Sequence, residues 1–367
     1  MPDSIPVVGL KGMINGPKNL VMRKFEMLKP KFLWFEITEL CNSRCTMCNI
    51  WKNKKTHEPM SPAEIKKVLS DPLFKDVVYI NNSGGEATVR PDLQEMLMAE
   101  HEALPNAAIC VSTNGLLPER ALSVVKYCLE HGVNMQVGIS LDGVGETHDE
   151  IRGVKADPAR GIKGNFERAD WLLRQLVELR KQYPDKLWIA VGSVLMDNSI
   201  DNVEAVKKYT KELGVHHEVQ WYNDSPYYNN TGDKRETIRN ERLIAAVKSL
   251  PPTLLNDKWA GWLEGKPINF TCFAMHTFCI LKSNGDISVC LTHWNTTAGN
   301  VRLNTPSEIW KSAGAKDARK VVANCAGCLN SWGTNWSWAA SFYPYLEYYA
   351  THPSAINKLE RSTTPSP

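Results

Sequence analysis

Cys41-Asn42-Ser43-Arg44-Cys45-Thr46-Met47-Cys48 crowds three thiols into one short stretch at C-x3-C-x2-C spacing. Three thiolates from one loop can hold three irons of a cubane cluster and leave the fourth iron open to an external ligand. A closed structural zinc site needs a fourth protein ligand nearby. Met47 is not one, and His57 lies beyond a Lys-rich stretch. A second group, Cys272, Cys279, Cys290, Cys325 and Cys328, ends in a C-x2-C knuckle, Cys325-Ala326-Gly327-Cys328. Four thiolates suffice for a cubane, so one of these five is spare. C-x2-C pairs also bind zinc, which is the alternative for this segment. Only Cys110 and Cys128 stand apart from the two groups.

The composition narrows the classes. With 43% apolar and 23% charged residues in a chain of 367, an ordinary globular protein is expected rather than a disordered one. The formal charge of +3 gives no electrostatic footprint for nucleic acid or an anionic membrane. No apolar run approaches the roughly 20 residues of a spanning helix, and no signal-peptide pattern follows Val7-Val8-Gly9-Leu10. Disulfide scaffolds belong to small secreted domains, so clustered thiols read as metal or iron–sulfur ligands in the cytoplasm.

The elements that must position the thiols follow from periodicity. Short apolar runs at Phe32–Ile37, Val77–Ile80, Ala107–Val111, Met135–Ser140, Leu187–Leu195 and Glu218–Tyr222 read as strands, apolar on both faces as if covered on two sides. Between them lie helical patterns. One starts at Asn165, with Phe166, Ala169, Leu172, Leu173, Leu176 and Leu179 at helical spacing; another starts near Asn198-Ser199 and stops at Gly214. Strand–helix alternation predicts a parallel sheet with right-handed crossovers, either a partial barrel or an open doubly wound sheet. In both, functional residues gather beyond the C-terminal ends of the strands, where Cys41–Cys48 follows strand one. After Leu250 the pattern changes. Pro251-Pro252 opens a linker, and the tract Trp259–Phe270 has no clear period. Phe278–Leu281 and Asp286–Val289 flank a Ser283-Asn284-Gly285 turn, and a short helix is expected after Pro306.

The cysteine loop after a first strand resembles the radical S-adenosylmethionine enzymes. That resemblance, over Lys31 to Tyr222, implies a 4Fe–4S cluster on Cys41, Cys45 and Cys48. Its open iron binds the amino and carboxylate groups of S-adenosylmethionine, whose reductive cleavage gives a 5′-deoxyadenosyl radical. Met47 stands where the family usually has an aromatic side chain against the adenine. Ser83-Gly84-Gly85-Glu86 looks like the family's motif for the methionyl amine: Gly84 and Gly85 allow close backbone approach and Glu86 accepts hydrogen bonds. Asn114 in Ser112-Thr113-Asn114-Gly115, and Ser140 and Asp142 in Ser140-Leu141-Asp142-Gly143, are further contacts that the resemblance implies. Arg152, in His148–Gly153, is expected to clamp the cofactor carboxylate, and His148 to be structural.

The second group resembles the twitch domain, the shortened form of the SPASM extension. Gly299-Asn300-Val301 and Glu308-Ile309-Trp310 suit it, and the lack of cysteines after Cys328 implies one auxiliary 4Fe–4S cluster. Cys272, Cys290, Cys325 and Cys328 match the twitch spacing best. Cys279 is then free, either a buried small hydrophobe or a hydrogen-atom donor to a substrate radical; the alternative is that Cys279 is itself a ligand and another thiol is free. Leu291-Thr292-His293 follows Cys290, where related dehydrogenases of alcohols on peptides have an Asp base; His293 could serve instead. The expected architecture is thus α/β: an N-terminal extension over 1–30, a partial (β/α)6 TIM-like barrel over 31–250, a twitch domain over 251–335 and an aromatic tail over 336–367. The expected activity is hydrogen abstraction from carbon, leading to oxidation or epimerisation. With only about thirty residues before strand one, a sugar or aminocyclitol-like metabolite is the first substrate expected, and a ribosomal peptide the alternative. Trp221-Tyr222 and Tyr227-Tyr228 are placed to meet substrate, and the resemblance implies a flavodoxin or ferredoxin electron donor. A non-catalytic iron–sulfur carrier explains the cysteines but not Gly84-Gly85-Glu86.

Overall fold

The computed structural model describes residues 16–350 except Lys55, 156–162, 197–198, Asn223, 232–240, 251–253, 267–270, Ala326, Leu329, 342–347 and Tyr349. Among the described residues, nine strands form one sheet in the order β6-β5-β4-β3-β2-β1-β7-β8-β9. The first six, β1 (Phe32–Thr38), β2 (Tyr79–Gly84), β3 (Ala108–Thr113), β4 (Asn134–Ser140), β5 (Leu187–Leu195) and β6 (His216–Trp221), are parallel and adjacent in chain order. Helices α1 (Pro62–Leu69), α2 (Leu93–Ala103), α3 (Pro118–Glu130), α4 (Glu146–Arg152), α5 (Asn165–Gln182) and α6 (Ile200–Glu212) alternate with them. Because β1 and β6 do not pair, the barrel is partial and open. On the other side of β1 runs β7 (Phe278–Leu281), followed antiparallel by β8 (Asp286–Ser288) and β9 (Thr297–Asn300).

Two faces of each strand carry different work. Leu33, Phe35 and Ile37 of β1, with Ile80, Ile109, Val137, Ile139, Ile189 and Val191, turn outward and form the main core under the helices. At α5, Ala169, Leu172, Leu173 and Leu176 are fully buried. The opposite face is not apolar as expected: Asn81, Ser83, Ser112, Ser140 and Gln220 lie on it and border a cavity. A half-open barrel interior exposes that face to water. The outermost strand β6 is mostly exposed for the same reason. Pairing with β1 also carries β2 past its apolar run, so Ser83 and Gly84 end the strand rather than follow it.

The tract from Trp259, expected to lack a period, is helical as far as Leu263. There α8 (Leu254–Leu263) and α7 (Glu241–Ser249) pack Trp259, Leu243 and Val247 against Leu195 and Trp221 at the ends of β5 and β6. The expected hairpin is present, with Gly285 at φ +92°. After it come α9 (Pro306–Lys311), opened by a Thr305–Glu308 capping box, and α10 (Ala313–Ala323). From α11 (Ser331–Ala339), Trp336 stacks on Phe32 of β1 at 3.7 Å between ring centres. Tyr348 is buried. Phe342, Tyr343, Tyr345, Tyr349, Pro251-Pro252 and the Thr- and Pro-rich end lie outside the described residues, as do the side chains of Trp332 and Trp338. No helix among the described residues is long and apolar enough to cross a membrane.

The hairpin turn is tied to the barrel through a buried carboxyl. Glu36 accepts from the Ser283 amide at 3.3 Å and its hydroxyl at 3.1 Å. Burial, only partly offset by these bonds, pushes Glu36 from 4.5 up to about 7. A carboxyl whose folded value is raised stabilises the fold fully below 4.5, and that contribution is lost as pH rises to about 7. Glu36→Gln therefore removes a stability term that declines by up to about 3 kcal/mol over this range. Urea midpoints of the two proteins, measured across the window, should converge at its acid end and separate at its neutral end in favour of the variant.

Candidate active site

The cysteine loop is fixed at its entry by backbone contacts. Arg90, buried, donates to the Ile37 carbonyl at 2.7 Å and the Met60 carbonyl at 2.6 Å. The Gly85 amide then donates to Thr38 O, and the Glu86 amide to Leu40 O, both at 2.8 Å. A Cβ on Gly84, at φ +125°, would lie 2.3 Å from Thr38 O, and one on Gly85 1.9 Å from Leu40 O. Only glycine allows this approach. The close contact expected to a ligand is thus made first to the strand end that launches Cys41.

Cys41, Cys45 and Cys48 then line one wall of a cavity of about 240 Å³ at the strand ends, with Met47, Gly84, Gly85, Glu86, Asn114, Ser140 and Arg152. Burial pushes the free thiols up, Cys41 to about 11 and Cys48 to about 12. Such thiols ionise only with a cation to bind. Three thiols from one pinned loop, facing one cavity, fit a cluster with an open position.

The loop's exit is fastened to α4. The Arg152 carbonyl accepts from Ser43 Oγ at 2.8 Å and from the Arg44 amide at 3.2 Å, and the Ile151 carbonyl from the Thr46 amide at 2.8 Å. Gly153, at φ +74°, lies so close that a Cβ would meet Arg44 O at 2.6 Å. The Arg152 guanidinium donates to Asp142 Oδ2 at 2.6 Å and to Cys45 Sγ at 3.7 Å. Sequence reasoning expected this fork on a cofactor carboxylate; the structure spends it largely on Asp142 and a cysteine. Asp142 itself, 1% exposed and accepting from the Val194 amide at 2.7 Å, stands behind Arg152 and off the cavity wall. His148 is fully buried, and burial followed by the Arg152 charge pushes it down to about 4. Its neutral Nδ1 accepts from the Asp142 amide at 3.1 Å.

Glu86 is also occupied. Its two oxygens accept from Thr88 N and Oγ1, Thr113 Oγ1 and the Asn114 amide at 2.6–3.1 Å. It staples β2 to β3 while still bordering the cavity, and burial raises its pKa. Asn114 Nδ2 donates to Asn42 Oδ1 at 2.8 Å, steadying the loop from β3. Across the cavity stand Gln220, Trp221, Tyr222, Tyr227 and Tyr228, of which sequence reasoning had the aromatic pairs but not Gln220. Tyr227 donates its hydroxyl to Gly84 O at 2.7 Å, and the Tyr228 carbonyl accepts from the Asn49 amide at 2.9 Å. Trp34 also went unforeseen, although strand alternation from outward Leu33 and Phe35 would have turned it inward.

Cys272, Cys290, Cys325 and Cys328 line a second cavity of about 220 Å³. Burial pushes Cys290 to about 12 and Cys328 to about 11. Four thiols line this one space, the number of ligands that a cubane takes. Cys279 lines neither cavity. It is fully buried in β7 opposite Leu33 of β1, its thiol pushed to about 12 by burial, and it packs there in the main core. Leu291 and Asn330 border both cavities, which therefore share a wall. Asp142→Ala leaves Arg152 charged and unpaired beside the loop. About 3 kcal/mol of stability should be lost in urea unfolding, along with iron retention at the first cysteine group.

Comparison with known proteins agrees with this geometry. Residues 35–181 match the radical SAM superfamily and residues 272–329 the SPASM iron–sulfur cluster-binding domain. The chain is 35% identical to Fe-coproporphyrin III synthase of Methanosarcina barkeri over 137 residues, 37% of this chain and 33% of that protein. It is 33% identical to the mycofactocin maturase MftC of Mycobacterium tuberculosis over 152 residues, 40% of this chain and 34% of that one. The chain thus spans about a third of the length of these curated relatives. SuiB of Streptococcus suis, solved with its precursor peptide SuiA, shares the fold at a TM-score of 0.59 and 16% identity, over 83% of this chain and 70% of SuiB. The matched domains imply a 4Fe–4S cluster with S-adenosylmethionine, and auxiliary iron–sulfur in the C-terminal part. With the three-cysteine loop at the barrel mouth and a four-cysteine cavity behind it, the chain belongs to the radical SAM superfamily, in its SPASM subclass.

Proposed function

We propose that the protein is a peptide-modifying radical SAM maturase that removes hydrogen from a carbon of its substrate. The observation that carries the reading is the pair of cysteine-lined cavities sharing a wall at Leu291 and Asn330. The choice of a peptide rests on the relatives: MftC is a maturase, and SuiB holds a precursor peptide. A sugar or aminocyclitol, the first expectation from sequence, has less behind it. Cys41, Cys45 and Cys48 would hold the first cluster, and Cys272, Cys290, Cys325 and Cys328 one auxiliary cluster. When bound, the first cluster and S-adenosylmethionine supply the radical chemistry that takes a hydrogen atom.

The chain's own residues do the positioning. Met47 packs beside the cysteines, and Gly84 and Gly85 bring backbone to the cavity edge. Asn114, Ser140 and the rim of Glu86 offer polar groups to the cofactor, while Arg152 steadies Cys45. Trp34, Tyr227 and Leu291, all buried, pack in one apolar cluster along the first cavity and exclude water there. Among the described residues, no cysteine other than the seven assigned to the clusters lines either cavity, Cys279 included, so no spare thiol stands ready to return hydrogen. That favours oxidation over epimerisation. A flavodoxin- or ferredoxin-type donor in the cytoplasm completes the proposal.

Anaerobic reconstitution tests it. Wild type should hold about eight irons and the Cys41→Ala/Cys45→Ala/Cys48→Ala variant about four, and only wild type should release 5′-deoxyadenosine on reduction with S-adenosylmethionine. Short peptides encoded beside the gene should then emerge lighter by a hydrogen pair. Turnover of small polyols with every such peptide inert would overturn the peptide assignment.

A further inference from the structure

His293 lies between two cysteines of the second cavity and reaches both. Its backbone amide donates to Cys290 Sγ at 3.3 Å, and its ring Nε2 lies 3.5 Å from Cys325 Sγ. Cys290 closes the hairpin and Cys325 opens the knuckle, so one residue spans the two chain segments that build the site. His293 does not border the first cavity, so it cannot serve there as a base toward substrate.

A thiolate bound to iron carries no hydrogen. At the observed separation the ring nitrogen facing Cys325 must then be the donor, through Nε2–H. We infer that His293 is a positioning residue that sets the reduction potential of the auxiliary site through paired N–H···S bonds to Cys290 and Cys325. Reduction adds negative charge, and part of it resides on the cysteine sulfurs. Donors aimed at those sulfurs stabilise the reduced state more than the oxidised one and raise the potential. Arg23, which also borders the cavity, donates instead to the Cys272 carbonyl at 3.2 Å. His293 therefore makes the site a better electron acceptor, as an oxidation of substrate next door requires. This rests on the assignment of the second cavity to an iron–sulfur cluster.

The test is a redox titration followed by electron paramagnetic resonance, on holoprotein and in the Cys41→Ala/Cys45→Ala/Cys48→Ala background, where only the auxiliary signal remains. His293→Phe should keep the iron content and shift the midpoint potential downward, because the backbone bond to Cys290 survives and the ring bond is lost. His293→Gln, which can present a side-chain N–H, should recover part of the shift. An unchanged potential in His293→Phe overturns the inference, as does loss of the auxiliary iron in both variants, which would make His293 a ligand or a structural support. Absence of auxiliary iron from the unsubstituted protein would instead refute the cluster assignment.

Discussion

The buried pair between Asp142 and Arg152 is the contact on which the site depends. Asp142 leaves the end of β4 and is held from β5 by the Val194 amide. Arg152 ends α4, and its carbonyl and guanidinium both act on the cysteine loop that follows β1. One ion pair thus ties three separate strand ends into a single wall. A buried pair of this kind adds little net stability over an apolar substitute, yet losing one partner is costly because the other charge stays behind. The pair's value lies in fixing geometry: the loop that carries three thiols has no regular secondary structure to fix it except the short turn at Ile50–Lys52.

The same economy runs through the Gly84-Gly85-Glu86 segment. Its glycines let β2 lie against the strand end before Cys41, and its carboxylate locks β2 to β3. Residues whose types suggest ligand contact are thus engaged first in holding one another. This is preorganisation: side chains already saturated by protein partners cost little to order when a ligand arrives. The cavity wall across from them, built from residues after β6, closes over the loop through Tyr227 and Tyr228.

The open barrel explains how two cysteine centres come to share a wall. Because β1 does not close on β6, its free edge takes β7, and the hairpin that follows ends at Cys290 and Leu291 beside the barrel mouth. Trp34, Tyr227 and Trp294 fill the seam, with ring centres 4.8–6.0 Å apart. Cys279 falls on the other side of β7 by strand alternation, which puts its thiol into the core two residues before Leu281.

Local chemistry was legible in the sequence. The C-x3-C-x2-C loop, the C-x2-C knuckle, the parallel strand–helix alternation, the hairpin at Ser283-Asn284-Gly285 and the helix from Asn165 all follow from spacing and periodicity, which act between near neighbours in the chain. Which of the five C-terminal cysteines is spare was a matter of which face of β7 meets β1, and spacing alone left it to resemblance. That Arg152 serves Asp142 and Cys45, that Glu86 is saturated, and that Leu291 and Asn330 divide two cavities were decided only by tertiary structure. The Arg152–Cys45 contact alone joins residues 107 positions apart along the chain. No local periodicity records them, because they are set by how the strands twist, stop and lie beside one another.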